Sequence, residues 1–97
     1  MSQIERGDLN QRIRDALTIV MDPELGKSVV DIGLIYGVTS DSDGHVAISM
    51  TTTTPGCPAA TFLRDAVQHC AADVEGVRDV AVTLTYDPPW TPDRMIN

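Results

Sequence analysis

Residues 46–74 read VAISMTTTTPGCPAATFLRDAVQHCAADV. This stretch decides the fold, because its hydrophobic period changes partway along. Val46, Ile48, Met50 and Thr52 alternate with Ala47, Ser49, Thr51 and Thr53, which is the two-residue repeat of a half-buried strand. From Ala60 the apolar positions are Leu63, Val67, Cys70, Ala71 and Val74, the stripe of an amphipathic helix. The break between them is Thr54-Pro55-Gly56-Cys57-Pro58, and the helix is expected over about 58–75. Pro58 suits a first helical position, where its missing N–H would be unpaired in any case. Gly76 is a plausible stop.

Downstream, Val80, Val82, Leu84 and Tyr86 alternate as a further strand. A strand–helix–strand crossover normally returns parallel. The prolines of Asp87-Pro88-Pro89-Trp90-Thr91-Pro92 stop that strand by removing ladder donors. Upstream, Asp41-Ser42-Asp43-Gly44 is a hairpin turn, and Leu34, Tyr36 and Val38 alternate with Ile35, Gly37 and Thr39 as its first strand. Val29 to Ile32 is apolar but short, and Gly33 interrupts it. Leu9, Ile13, Ala16, Leu17 and Val20 repeat at helical spacing. Asp8 and Gln11 offer a capping-box variant at the start of a helix over about 9–21, and Pro23 ends it. Residues 1–7 read as a frayed start. The expected fold is α+β: a two-layer α-β-β-α-β arrangement with two helices on one face of a small three-stranded mixed sheet.

The chain has 97 residues, which points to a single domain over 1–97 with its core at about 9–95. Such a domain buries only roughly 60–65% of its unfolded surface, a thin margin that leaves room for a homodimer. Seven basic and 14 acidic residues give a formal charge of −7, which argues against nucleic acid as a partner. The sparse Lys and Arg form no patch for an anionic membrane, and no apolar run approaches the roughly 20 residues of a membrane span. The N-terminus Met-Ser-Gln-Ile-Glu-Arg carries no secretory signal pattern. The expected location is cytoplasmic, where the two cysteines are reduced thiols.

Those cysteines differ. Cys70 sits on the apolar stripe of the second helix and reads as a small packed hydrophobe. Cys57 follows a strand, lies in a Pro-Gly-Cys-Pro turn, and is expected at the N-cap or its neighbour. The helix dipole and unpaired N–H groups there favour a thiolate, the reactive and metal-binding form. The alternative is a small residue filling a tight turn. Thirteen residues separate the two sulfurs, or roughly 20 Å along a helix, too far for a disulfide. There is no Cys-x-x-Cys and no zinc spacing. A cluster usually takes four ligands, so metal at Cys57 needs further donors from carboxylates, an added thiol, a partner or a second copy. His69 lies one turn from Asp65 and Asp73 and reads as a solvated face. His45 follows the hairpin turn at the far end of the strand from Cys57. Neither is read as a ligand. Asp22 and Glu24 flank Pro23 and, on their own, read as solvated or capping carboxylates.

Four stretches in order carry a family resemblance: Asp22-Pro23-Glu24-Leu25, Val30-Asp31-Ile32-Gly33-Leu34-Ile35, Thr52-Thr53-Thr54-Pro55-Gly56-Cys57-Pro58, and Asp87-Pro88-Pro89-Trp90-Thr91-Pro92-Asp93. Together they resemble the SufT-like and PaaD-like family of iron–sulfur (metal–sulfur) cluster maturation proteins over residues 9–95. The resemblance implies an adaptor or transient carrier, often encoded with SUF-type assembly components, rather than an enzyme. Cys57 then matches the family's reactive cysteine and metal ligand. Asp22 and Glu24 match its acidic motif, Thr54 its pre-cysteine loop and Trp90 its C-terminal motif. The implied cargo is iron or an iron–sulfur cluster, held transiently, and the implied partners are cluster-assembly proteins and client apoproteins. Neither the cysteine-rich extension of full-length PaaD-like proteins nor the ATPase domain of Mrp-type carriers lies in these 97 residues. Dedicated oxygenase maturation and nucleotide-driven transfer are therefore not expected. Two other readings stand beside this one: a single-cysteine thiol enzyme, which would need a base near Cys57, and a non-catalytic interaction scaffold.

Overall fold

The computed structural model describes residues 2–23, 25–53 and 59–91. Its elements in chain order are α1 (Ser2–Leu17), β1 (Met21–Asp22), β2 (Lys27–Ser28), β3 (Ile35–Ser40), β4 (His45–Met50), α2 (Ala60–Ala72) and β5 (Asp79–Leu84). The three-stranded sheet has the order β3-β4-β5. β3 and β4 are antiparallel, and β4 and β5 are parallel across the α2 crossover. β1 and β2 form a separate two-residue antiparallel ribbon, too short to carry a periodic signal. This is the expected α+β layering with that ribbon added.

The core lies between the helices and one face of the sheet. Ile13 and Leu17 of α1, Ile48 and Met50 of β4, and Leu63, Val67 and Ala71 of α2 are all buried in it. The central strand β4 alternates buried and exposed residues along its whole length, so only one face is covered. α1 packs on β3, α2 on β5, and the helices touch one another. Each fully buried Ile, Leu or Met contributes roughly 1.5–3 kcal/mol of transfer free energy.

Three boundaries differ from expectation for identifiable reasons. α1 starts at Ser2, so Asp8 lies inside the helix rather than capping it. It ends at Leu17 rather than 21. Thr18, Ile19 and Val20 are consecutive β-branched residues, which lose rotamer freedom in a helix, and Thr18 Oγ1 donates to Asp15 O at 2.6 Å. The constraint of Pro23 acts on Asp22 alone, which is already extended in β1. α2 spans 60–72 rather than 58–75. In β3 the pairing shifts register between Ile35 and Gly37, a bulge at Tyr36. The bulge resets the alternation, so Ile35 and Val38 are buried while Tyr36 is not.

At the turn between β3 and β4, Gly44 has φ +90°, and a Cβ there would lie 2.6 Å from Gly76 O. Arg78 N donates to Gly44 O at 2.8 Å, so this glycine allows two turns to close on each other. Among the described residues, no helix is long and apolar enough to cross a membrane.

Candidate functional site

Ile35 pairs with Met50, and Met50 with Leu84. Segments 29–34, 51–53 and 85–91 therefore leave the sheet at one end. Cross-segment hydrogen bonds join them: Thr51 N donates to Leu34 O at 2.9 Å, and Thr85 N donates to Met50 O at 2.8 Å. Val29 N donates to Val20 O and Leu34 N to Val29 O, both at 2.9 Å, which draws the β1–β2 ribbon into the same network. The four stretches that carry the resemblance thus have their described portions tied into one end of the molecule.

Three aromatic side chains tie the segments a second time. Trp90 Nε1 donates to Ile32 O at 2.6 Å, Tyr36 OH donates to Pro88 O at 2.8 Å, and the hydroxyls of Thr52 and Tyr86 share a hydrogen bond of 2.9 Å. Thr51 and Thr52 are both buried. A buried hydroxyl is tolerated only when bonded, because an unpaired one costs about 1–3 kcal/mol. Gly33, at φ +78°, takes the left-handed turn between Ile32 and Leu34, so its interruption of the apolar run is conformational.

Of the sequence-chosen site residues, Asp22 is described. It is only 1% exposed, a buried rather than solvated carboxylate. Its backbone carbonyl accepts from Gly26 N at 2.8 Å, and its Oδ1 accepts from Leu25 N at 3.4 Å. Glu24, Thr54 and Cys57 lie outside the described residues. The residues bounding the cysteine segment are placed: Thr53 follows buried Thr52, and Ala59 is the N-cap of α2. The N-cap thus falls two positions after Cys57 in sequence, and α2 begins at Ala60. Ala59 has no side-chain oxygen and makes no side-chain cap.

Cys70 is half-buried at the core edge, and its Sγ donates to Ala16 O at 3.1 Å. Burial pushes this thiol's pKa up, and the negative charge of Asp73 adds to the shift. It is a packed thiol, as its place on the stripe implied. His69 is exposed. His45, at the opposite end of β4, has Nδ1 2.9 Å from both carboxylate oxygens of Asp79. That hydrogen bond, followed by Asp79's charge, raises the His45 pKa. Asp41, Asp43 and His45 gather their ligand-type atoms within 4.8 Å, all exposed. Asp41 Oδ1 is already accepting from His45 N and Asp43 N, which lowers its pKa. The local role of that cluster is to shape the turn.

Sequence reasoning placed Trp90 only by resemblance and missed the roles of Tyr36 and Tyr86. A visible signal was that each is a large amphipathic ring beside a turn, the kind whose polar tip needs a partner when the ring packs.

A two-helix, three-stranded α+β domain whose functional-looking end is built from loops at the C-terminal edge of a β-α-β crossover defines the class. A family model described as "Iron-sulfur cluster assembly protein" matches residues 10–84. The chain belongs to that family. It is 45% identical over 87 residues to the Fe-S protein maturation auxiliary factor YitW of Bacillus subtilis, covering 90% of this chain and 85% of that one. It is 37% identical over 84 residues to an iron-sulfur cluster carrier protein of Mycobacterium tuberculosis, covering 87% of this chain and 22% of the relative. Its structure resembles the crystal structure of a domain of unknown function, DUF59, from Bacillus anthracis. The TM-score is 0.91 and the identity 33%, with 96% of this chain and 89% of that one covered.

Proposed function

We propose that residues 1–97 act as one domain, an iron–sulfur cluster assembly adaptor or transient carrier working through Cys57. The observation that carries this reading is the convergence of the described motif segments at the sheet end beyond Met50, where Thr53 is the last described residue before Cys57, in a chain of this family. Cys57 is the ligand to iron or to a cluster, which is cargo rather than a resident cofactor. One thiolate leaves most of a cluster's usual four ligand positions to others. These come from an assembly protein, a client apoprotein, an added thiol or a second copy, and the incomplete shell keeps the hold transient. Asp22, Glu24 and Thr54 are assigned to the same site as Cys57, with Asp22 and Glu24 as ligands or docking charges. No turnover of a small molecule is assigned to the chain, and its setting is the cytoplasm, where thiols stay reduced. Support for a non-enzymatic role comes from the histidines. His45 is engaged with Asp79 at the other end of β4, and His69 is exposed on α2.

Anaerobic reconstitution with iron and sulfide tests the proposal. Wild type should gain iron and visible charge-transfer absorbance, and Cys57→Ser should lose most of both. Equal iron and absorbance in the two proteins would overturn direct ligation.

A further inference from the structure

We propose that a groove between the exit of α1 and the outer face of α2 receives a short amphipathic helix with basic flanks from a partner protein. Among the described residues the groove is lined by Ile19, Val20, Met21, Phe62, Ala66 and Cys70. Ile19 is 76% exposed, Phe62 63% and Met21 49%. Single exposed apolar residues are ordinary, but a contiguous Ile, Met and Phe around one groove mark an interaction surface.

The dimensions suit a helix. Phe62, Ala66 and Cys70 follow at four-residue intervals, so they line one side of α2 over roughly 12 Å, or about two turns. Leu63, Val67 and Ala71 turn inward to the core, Ala66 and Cys70 lie half-buried at its edge, and Phe62 is the exposed residue of the groove stripe. Met21 and Phe62 offer one adaptable and one rigid side chain, a combination suited to apolar anchors at i, i+4 and i+7 of a docked helix.

Charge selects the occupant. Exposed Asp65 lies three residues beyond Phe62, exposed Asp73 three beyond Cys70, and exposed Asp15 one helical turn before Ile19. Burial, and after it the negative charge of Asp73, raises the pKa of Cys70, which lines the groove. Nearby cations include Arg64, 3.7 Å from Asp65 in a half-exposed pair of little strength, and Arg12, whose Nη1 donates to Glu75 O at 2.9 Å, two residues beyond Asp73. The chain as a whole carries −7. A second copy on a two-fold axis would present the same acidic rim twice. Lys or Arg flanking the partner's apolar anchors is complementary to this rim. Phe62 is five residues after Cys57, so at most roughly 18 Å of chain separates them. A partner seated here is held within reach of the cysteine, yet the docking itself does not depend on cysteine chemistry.

The test uses the full chain and a fluorescein-labelled synthetic helical peptide of about four turns, with leucines on one face and lysines flanking them. A matched peptide carries glutamates in place of the lysines. By anisotropy, the lysine peptide should bind wild type and weaken with added salt. Phe62→Ala, which alters an exposed side chain, should stay folded by circular dichroism and bind at least about tenfold more weakly. The glutamate peptide should bind more weakly by a similar factor. Cys57→Ser should bind as wild type does, which separates this proposal from the fate of the iron reading. The proposal is overturned by no binding of the lysine peptide, by equal binding of both peptides, or by an unaffected Phe62→Ala. It is equally overturned by loss of binding in Cys57→Ser, or by sedimentation showing a wild-type dimer that Phe62→Asp dissolves, since the occupant would then be a second copy.

Discussion

The two ends of the sheet are built in opposite ways. At the His45 end, polar groups are exposed: Asp41 caps its own turn, and His45 meets Asp79 across neighbouring strands. At the Met50 end, Thr51, Thr52 and Asp22 are buried, and Trp90, Tyr36 and Tyr86 reach across 34–58 residues of sequence to their partners. An exposed polar contact adds little because water replaces it easily. A buried one fixes geometry because breaking it leaves an unpaired group. The contrast teaches that both ends are joined by contacts distant in sequence, but that the buried polar side chains among the described residues lie at the end that leads toward the cysteine segment.

Mutations at the two ends should therefore differ in what they disturb. The largest effect is expected for Trp90→Ala. It removes a half-buried ring and the donor to Ile32 O, and should cost about 2–4 kcal/mol in denaturant unfolding. It should also lower iron uptake in reconstitution, because segments 29–34 and 85–91 separate. Gly44→Ala should cost about 1–3 kcal/mol, since its φ of +90° and the 2.6 Å approach of Gly76 O both oppose a Cβ. Iron uptake by the folded fraction should stay unchanged. Equal effects of these two variants on iron would break the distinction between the ends.

Smaller changes sharpen it. Tyr86→Phe removes one shared hydroxyl bond and should cost about 1 kcal/mol. A double-mutant cycle with Thr52→Val should show coupling of a comparable size, about 0.5–1.5 kcal/mol. Zero coupling would mean that the hydroxyl contact does not organise the segment before residue 54. Cys70, with its raised pKa, should alkylate slowly at neutral pH, so Cys57→Ser protein should react with iodoacetamide far more slowly than a free model thiol. Rapid labelling of that variant would show Cys70 to be open and ionised.

The smallest effect belongs to the exposed pair. The His45 pKa is raised above its ordinary value of 6.5 by Asp79. The pair's small stabilisation is thus fully present below that value and is lost as pH rises through the folded-state pKa. An NMR titration should place the His45 midpoint above 6.5, and Asp79→Asn should bring it back down. An unchanged midpoint in that variant would assign the shift to another group.

Much of this was legible in the sequence, because period is a local property. Val46, Ile48 and Met50 lie buried on one face of the central strand as their alternation required, although beyond its end at Met50 both Thr51 and Thr52 are buried, and the parallel return of β5 followed from the handedness of crossovers. The end of α1 was misread because Pro23 is a conspicuous breaker, while the Thr18–Val20 run acts through many small rotamer losses. The alternation of 34–39 failed at Tyr36 because a bulge is set by pairing with β4.

By itself, the sequence determined the layer architecture, the packed role of Cys70 and the family likeness that singles out Cys57. Each depends on residues near one another along the chain, or on motifs in a fixed order. Tertiary structure alone decided that Asp22 is buried, that Trp90 meets Ile32 and Tyr86 meets Thr52, and that Phe62 and Ile19 line one groove. Those outcomes depend on which distant segments share an edge of the sheet, and hydrophobic period carries no information about distant pairs.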